Sequence, residues 1–172
     1  MFHRILVAVD DSSAAGKALE RAVELVEAGH GRLGLLSAAP GAPPLAAAGP
    51  VVLPVSRGQL EQELLGWAQR NVEEAARQVP VEIPVTKLVV RGSPGAAVLR
   101  EARTGCWDLV VVGQADDHFH MPFTERVGEW LNRRCPTPVL VVHEGSSEPP
   151  RARRSGLRGW FSRGRRAQIS AA

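Results

Sequence analysis

The chain predicts an α/β fold, a doubly wound and mostly parallel sheet covered by helices. Three observations carry that reading. Five short apolar runs alternate with four stretches whose apolar residues recur every three or four positions. The runs are continuous rather than alternating, as in strands buried on both faces. Capping and turn residues such as Ser12, Gly29 and Gly92-Ser93-Pro94 punctuate the changes of period. Strands joined through helices in this way imply right-handed crossovers.

The first strand is expected over Ile5 to Val9. Ser12 or Ser13 then supplies an N-cap, and Ala15, Ala18, Leu19, Ala22, Val23, Leu25 and Val26 form an apolar stripe that ends before Gly29. Leu33 to Ala38 gives the second strand. Ala39 to Pro54 follows, with prolines at 40, 43, 44, 50 and 54 that exclude regular helix or central strand, so a loop is expected. Gln59 to Gln78 is helical, since Leu60, Leu64, Trp67, Ala68, Val72 and Ala75 lie on one face. Val85 to Val90 forms the third strand. Ser93 is expected to cap the next helix, with Pro94 at its first position and Ala97 to Ala102 continuing it. Asp108 to Gly113 is the fourth strand, Phe123 to Arg134 a helix, and Pro138 to His143 the fifth strand.

A length of 172 residues with 44% apolar content suits one domain with a real core and an added segment. No apolar run approaches the ~18 residues of a membrane span. Met1-Phe2-His3-Arg4 enters a strand directly, so no secretory signal is expected. The cysteines, Cys106 and Cys135, form no Cys-x-x-Cys and are expected as reduced thiols in a cytoplasmic protein. The net charge of +3 hides a division: residues 1–150 hold 18 acidic against 14 basic residues, and the remainder holds seven arginines and no acid. The body thus carries −4 and the tail +7.

Three stretches together resemble the universal stress protein family, over residues 1 to about 144. They are the opening Arg4-Ile5-Leu6-Val7-Ala8-Val9-Asp10-Asp11-Ser12, the helix start Gly92-Ser93-Pro94, and the closing part. That part comprises Trp107-Asp108-Leu109-Val110-Val111-Val112-Gly113, then Glu129, then Pro136-Thr137-Pro138-Val139-Leu140-Val141-Val142. The resemblance implies a flavodoxin-like, five-stranded parallel sheet of order 3-2-1-4-5 in a three-layer α/β/α arrangement. It also implies a domain over 1–144, which leaves the basic tail, recognised by its charge, over 145–172. In that order the connections reverse between the first and fourth strands, and ligands of such sheets sit beyond the strand ends at the reversal. Asp10 and Gly113 flank the expected crevice and are the candidate cofactor-binding residues. Each also has a plain structural alternative, as a helix-approach turn and a strand-end turn.

Members of the family that bind ATP carry a glycine, two residues, a second glycine, nine residues, then Gly-Ser or Gly-Thr. Glycines let backbone amides approach phosphate oxygens, and a hydroxyl at a helix start adds a donor. Gly113 matches the first position, but Asp116 occupies the second. The Gly-Ser position falls on Arg126-Val127 counted forward, or on Glu125-Arg126 counted back from Pro136. Asp116, Asp117 and Glu125 would set like charge beside a triphosphate, at about 1–4 kcal/mol for a carboxylate ~4 Å away. Arg126 or a bridging Mg²⁺ would offset part of this.

Other candidates carry less. Gly29-His30-Gly31-Arg32-Leu33-Gly34 fits a dinucleotide motif by letters, but it follows a helix and leads into a strand, the reverse of what that motif requires. Asp116-Asp117-His118-Phe119-His120 holds metal-ligand residue types, yet adjacency in a loop does not make them converge; a solvated loop is expected, with no metal. No G-x-S-x-G elbow exposes a nucleophile, so no catalytic residue is expected. The tail mixes Arg151, Arg153, Arg154, Arg158, Arg163, Arg165 and Arg166 with Leu157, Trp160 and Phe161. It reads as a disordered appendage, or as a contact to an anionic membrane surface or another polyanion.

Three functions stay open from the sequence. The first is a non-catalytic binding or regulatory domain in a cytoplasmic stress response, without tight ATP binding. The second is an ATP-binding switch or slow ATPase using Mg²⁺ in the same crevice. The third is an adaptor, peripheral to a membrane or held on nucleic acid through its tail. A homodimer through Val139, Leu140, Val141 and Val142 is expected, because that apolar edge would otherwise stay open.

Overall fold

The structure, a computed structural model, describes residues 2–41, 56–114 and 127–143. Strand β1 spans Arg4–Ala8, helix α1 Ser13–Gly29, β2 Arg32–Ala39, α2 Arg57–Gln78 and β3 Val85–Arg91. Helix α3 spans Pro94–Thr104, β4 Leu109–Gln114, α4 Val127–Arg134 and β5 Val139–His143. All strand pairs are parallel, in the order β3-β2-β1-β4-β5. The sequence expectation for the sheet therefore holds.

Two cores lie on opposite faces of the sheet, and strand periodicity decides which residues enter each. Ile5, Val7, Leu33, Leu35, Leu109 and Val111 pack under α1 and α2 with Leu19, Val26 and Val72. Leu6, Leu36, Val110 and Val112 pack on the other face with Val98 of α3 and Leu131 of α4. Three layers result. The strands are apolar on both faces because both are covered.

The amino-terminal end of the sheet is tied by polar contacts around the start of the first strand. The Asp108 carboxylate accepts from the backbone N–H groups of His3 and Arg4, at 3.0 and 2.9 Å. The Arg4 guanidinium donates to the Gly105 carbonyl at 2.9 Å and lies over the Trp107 ring. Trp107 donates in turn to Glu101 at 3.2 Å, and its ring fills the space where a side chain at Gly34 would project.

Several boundaries differ from the sequence reading. Gly29 belongs to α1, and His30 at φ 51° makes the left-handed turn after it, with the N–H groups of His30 and Gly31 bonding Glu27 and Val26. Helix α2 starts at Arg57 because Ser56 and Gln59 form a reciprocal capping box. Ser93 precedes α3 without a side-chain cap bond; only its carbonyl serves the helix, accepting from Ala97. The expectation that Ser93 caps by its hydroxyl is corrected accordingly. Of the stripe on α2, Ala68, Val72 and Ala75 are buried, whereas Leu60, Leu64 and Trp67 are only half-buried. Residues 42–55 and 115–126, with the loop and most of the binding-motif positions expected there, lie outside the described residues.

Candidate functional site

The sheet divides at its carboxyl end between β1 and β4. Their pairing runs from Ile5 with Leu109 to Val7 with Val111 and stops there. Beyond it, β1 stays with β2 through Ala8 and Leu36, and the Val9 N–H bonds the Leu36 carbonyl at 2.8 Å. β4 stays with β5 through Gln114 and His143. The two halves separate because each follows its other neighbour. This is the crevice that a reversal of connections creates.

Asp10 stands on one side of the split, as expected, and is exposed. Its Oδ1 accepts from the backbone N–H of Ser12 at 2.9 Å and from the Ser12 hydroxyl at 2.5 Å. The Ser12 oxygen accepts in turn from the Ala15 N–H at 3.2 Å, which caps α1. Asp10 thus aims the chain from β1 into the helix.

Gly113 stands on the other side, but inside β4 rather than in the turn beyond it, paired with Val142. A Cβ at this position would lie 2.3 Å from both the carbonyl carbon and oxygen of Ala14, and 2.6 Å from the Ala15 nitrogen. The first turn of α1 presses into the split against the β4 backbone, and only glycine leaves room for it. Its strand-end reading is corrected by one residue, and its glycine has a packing cause independent of any ligand. Asp116, Asp117, Glu125 and Arg126 lie outside the described residues, as does the basic tail with its arginines, Trp160 and Phe161. Among the described residues, no group of three or more His, Cys, Asp or Glu side chains could hold a metal.

Sequence reasoning missed a groove of about 280 Å³ that runs from the end of β1 between α1 and α2. Val9, Ala15, Leu19 and Ala75 give it an apolar floor, while Asp10, Asp11, Glu74, Gln78 and Asn71 give it polar walls. Across its mouth the Trp67 indole donates to Asp11 Oδ2 at 3.4 Å. The Asn71 Nδ2 is buried with no hydrogen-bond partner among the described residues. The signal was present, since positions 67, 71, 74 and 78 fall on one face of a 3.6-residue helix; only the seating of α2 beside α1 gives that face a neighbour.

On the opposite face, Gln114 Oε1 is buried without a hydrogen-bond partner among the described residues. It lies against the start of α4, where a Cβ at Gly128 would come within 2.9 Å of it and of Val141. Val127, one of the two residues at the expected Gly-Ser position counted forward, opens that helix.

The model of the universal stress protein family matches residues 1–143. No protein of curated function matches the chain. Among solved structures, a universal stress family protein from Burkholderia pseudomallei is 23% identical, with a TM-score of 0.64 over 82% of this chain and 96% of that one. A universal stress protein in complex with cAMP is 19% identical, with a TM-score of 0.53 over 83% and 97%. A family protein from Arabidopsis thaliana with AMP bound is 16% identical, with a TM-score of 0.51 over 87% and 97%.

Proposed function

The chain belongs to the universal stress protein family, and from that premise we propose a non-catalytic binding and regulatory module of a stress response. Its crevice does not hold ATP tightly. One observation carries the reading. Gly113, the one glycine of the family's nucleotide motif that this sequence keeps, is required by the α1 backbone packed against it. Its presence therefore does not argue for a phosphate. The other motif positions hold Asp116 and Glu125-Arg126 in one register, or Arg126-Val127 in the other. A carboxylate there repels a triphosphate, and any side chain there obstructs the backbone amides that would receive it.

A nucleotide switch, or a slow ATPase with Mg²⁺, is the second reading. The split sheet with Asp10 at its rim favours it, and two structural neighbours hold cAMP and AMP, which carry less charge than ATP. Calorimetry of the full chain with ATP, with and without Mg²⁺, separates the two. Micromolar binding overturns the first reading. Under that reading, the triple variant Asp116→Gly, Glu125→Gly, Arg126→Ser gains measurable ATP affinity over the unmodified chain.

The module is a homodimer through β5. The two sheet edges differ in a way that supports this. Exposed Thr86 and Lys87 guard β3, and Lys87 pairs with Glu73 at 2.6 Å. β5 presents half-buried Val139, Leu140, Val141 and Val142 with no charged residue before its end. An unguarded apolar edge invites strand pairing.

A further inference from the structure

We propose that the groove between α1 and α2 receives the chain's own basic C-terminal segment, residues 149–172. Its chemistry fits such an occupant. The walls carry three carboxylates, Asp10, Asp11 and Glu74, and no cation is among the lining residues. Each carboxylate already accepts hydrogen bonds: Asp10 from Ser12, Asp11 from Trp67 and Glu74 from Arg77. A carboxylate offers about four lone-pair sites, so each can still receive a guanidinium. Arg77 already pairs with Glu74 at 2.9 Å, and with Arg70 it lines a neighbouring depression that shares Asn71 and Glu74 with the groove, so Asp10 and Asp11 are the wall carboxylates without a cation among the lining residues.

The segment brings seven arginines, no acid, and the adjacent Trp160 and Phe161. An aromatic ring covers the apolar floor of Val9, Leu19 and Ala75. A backbone carbonyl of the segment satisfies the buried Asn71 Nδ2, which has no partner among the described residues.

Chain geometry permits the contact. β5 ends at His143 on the carboxyl end of the sheet, the end at which Asp10 follows β1, and β5 lies two strands from β1. Two strand spacings are about 10 Å. Trp160 follows His143 by 17 residues, which can span up to about 56 Å. Covalent attachment within one chain over so few residues sets an effective concentration in the millimolar range. A contact too weak to form between separate molecules is then populated within one.

Amide NMR spectra of the full chain test this against a full-length variant with all seven tail arginines replaced by serine. At about 10 mM salt, where screening reaches only beyond roughly 30 Å, the Gly16 and Leu19 amides and the Asn71 side-chain amide should differ between the two proteins. The difference should vanish at about 1 M salt, where the screening length is roughly 3 Å. It should vanish equally in the full-length double variant Asp11→Asn, Glu74→Gln, and should not change on tenfold dilution. Coincident groove resonances at low salt overturn the proposal. So does a difference that grows with protein concentration, which would make the occupant a neighbouring copy's tail. A difference that survives in the double variant overturns it as well.

Discussion

Replacing Gly113 with alanine tests whether this glycine serves packing. The new Cβ would sit 2.3 Å from the Ala14 carbonyl carbon and oxygen. Ordinary contact begins at about 3.4 Å, so the first turn of α1 and the β4 backbone must part by about 1 Å. Both surfaces are main chain, and no rotamer change relieves them. Overpacking of this kind costs about 1–3 kcal/mol, and backbone meeting backbone belongs at the upper end. A loss of about 3 kcal/mol lowers the melting temperature by roughly 6–12 °C in a domain of this size. Urea unfolding without nucleotide, followed by circular dichroism, measures it as a lower midpoint at unchanged slope. A loss under about 0.5 kcal/mol, within the range of surface substitutions, would refute the packing account. It would return Gly113 to the phosphate reading.

Three further outcomes follow from the same contacts. Ser12→Ala removes the cap of α1 and the hydroxyl that donates to Asp10, while the backbone bond to Asp10 stays, and should cost about 1–2 kcal/mol in urea unfolding. Gly34→Ala places a methyl 2.3 Å from the Trp107 ring, whose indole is held by Glu101, and should cost about 1–3 kcal/mol by the same assay. Val141→Pro removes a backbone donor from the β5 edge and should convert a dimer into a monomer in analytical ultracentrifugation. A monomeric unmodified protein at micromolar concentration would count against the dimer itself.

Much of the fold was legible along the chain, because its signals are local. The continuous apolar runs around Leu6, Leu35 and Val111 marked strands covered on both faces, and both cores now account for them. Ser12 announced α1 and does cap it. Ser93 shows the limit of such signals. The same residue type in the same position makes no side-chain bond, because a cap depends on rotamer and loop path as well as on identity. The left-handed turn after α1 falls to His30 although glycines stand on both sides of it, and Gly31 is kept small by the His3 carbonyl beside it.

The sequence by itself determined the periods of strand and helix, the division of charge between body and tail, and the presence of acids where a phosphate loop would hold glycine. Those are properties of neighbours along the chain, set by backbone sterics and side-chain type. Only the tertiary structure decided why Gly113 is glycine, since the cause is the backbone of residues 14 and 15, nearly a hundred positions away. It alone made a groove from one face of α1 and one of α2, joined by Trp67 and Asp11 across 56 positions. Long-range packing brings such groups together, and no local pattern records which helix will lie beside which.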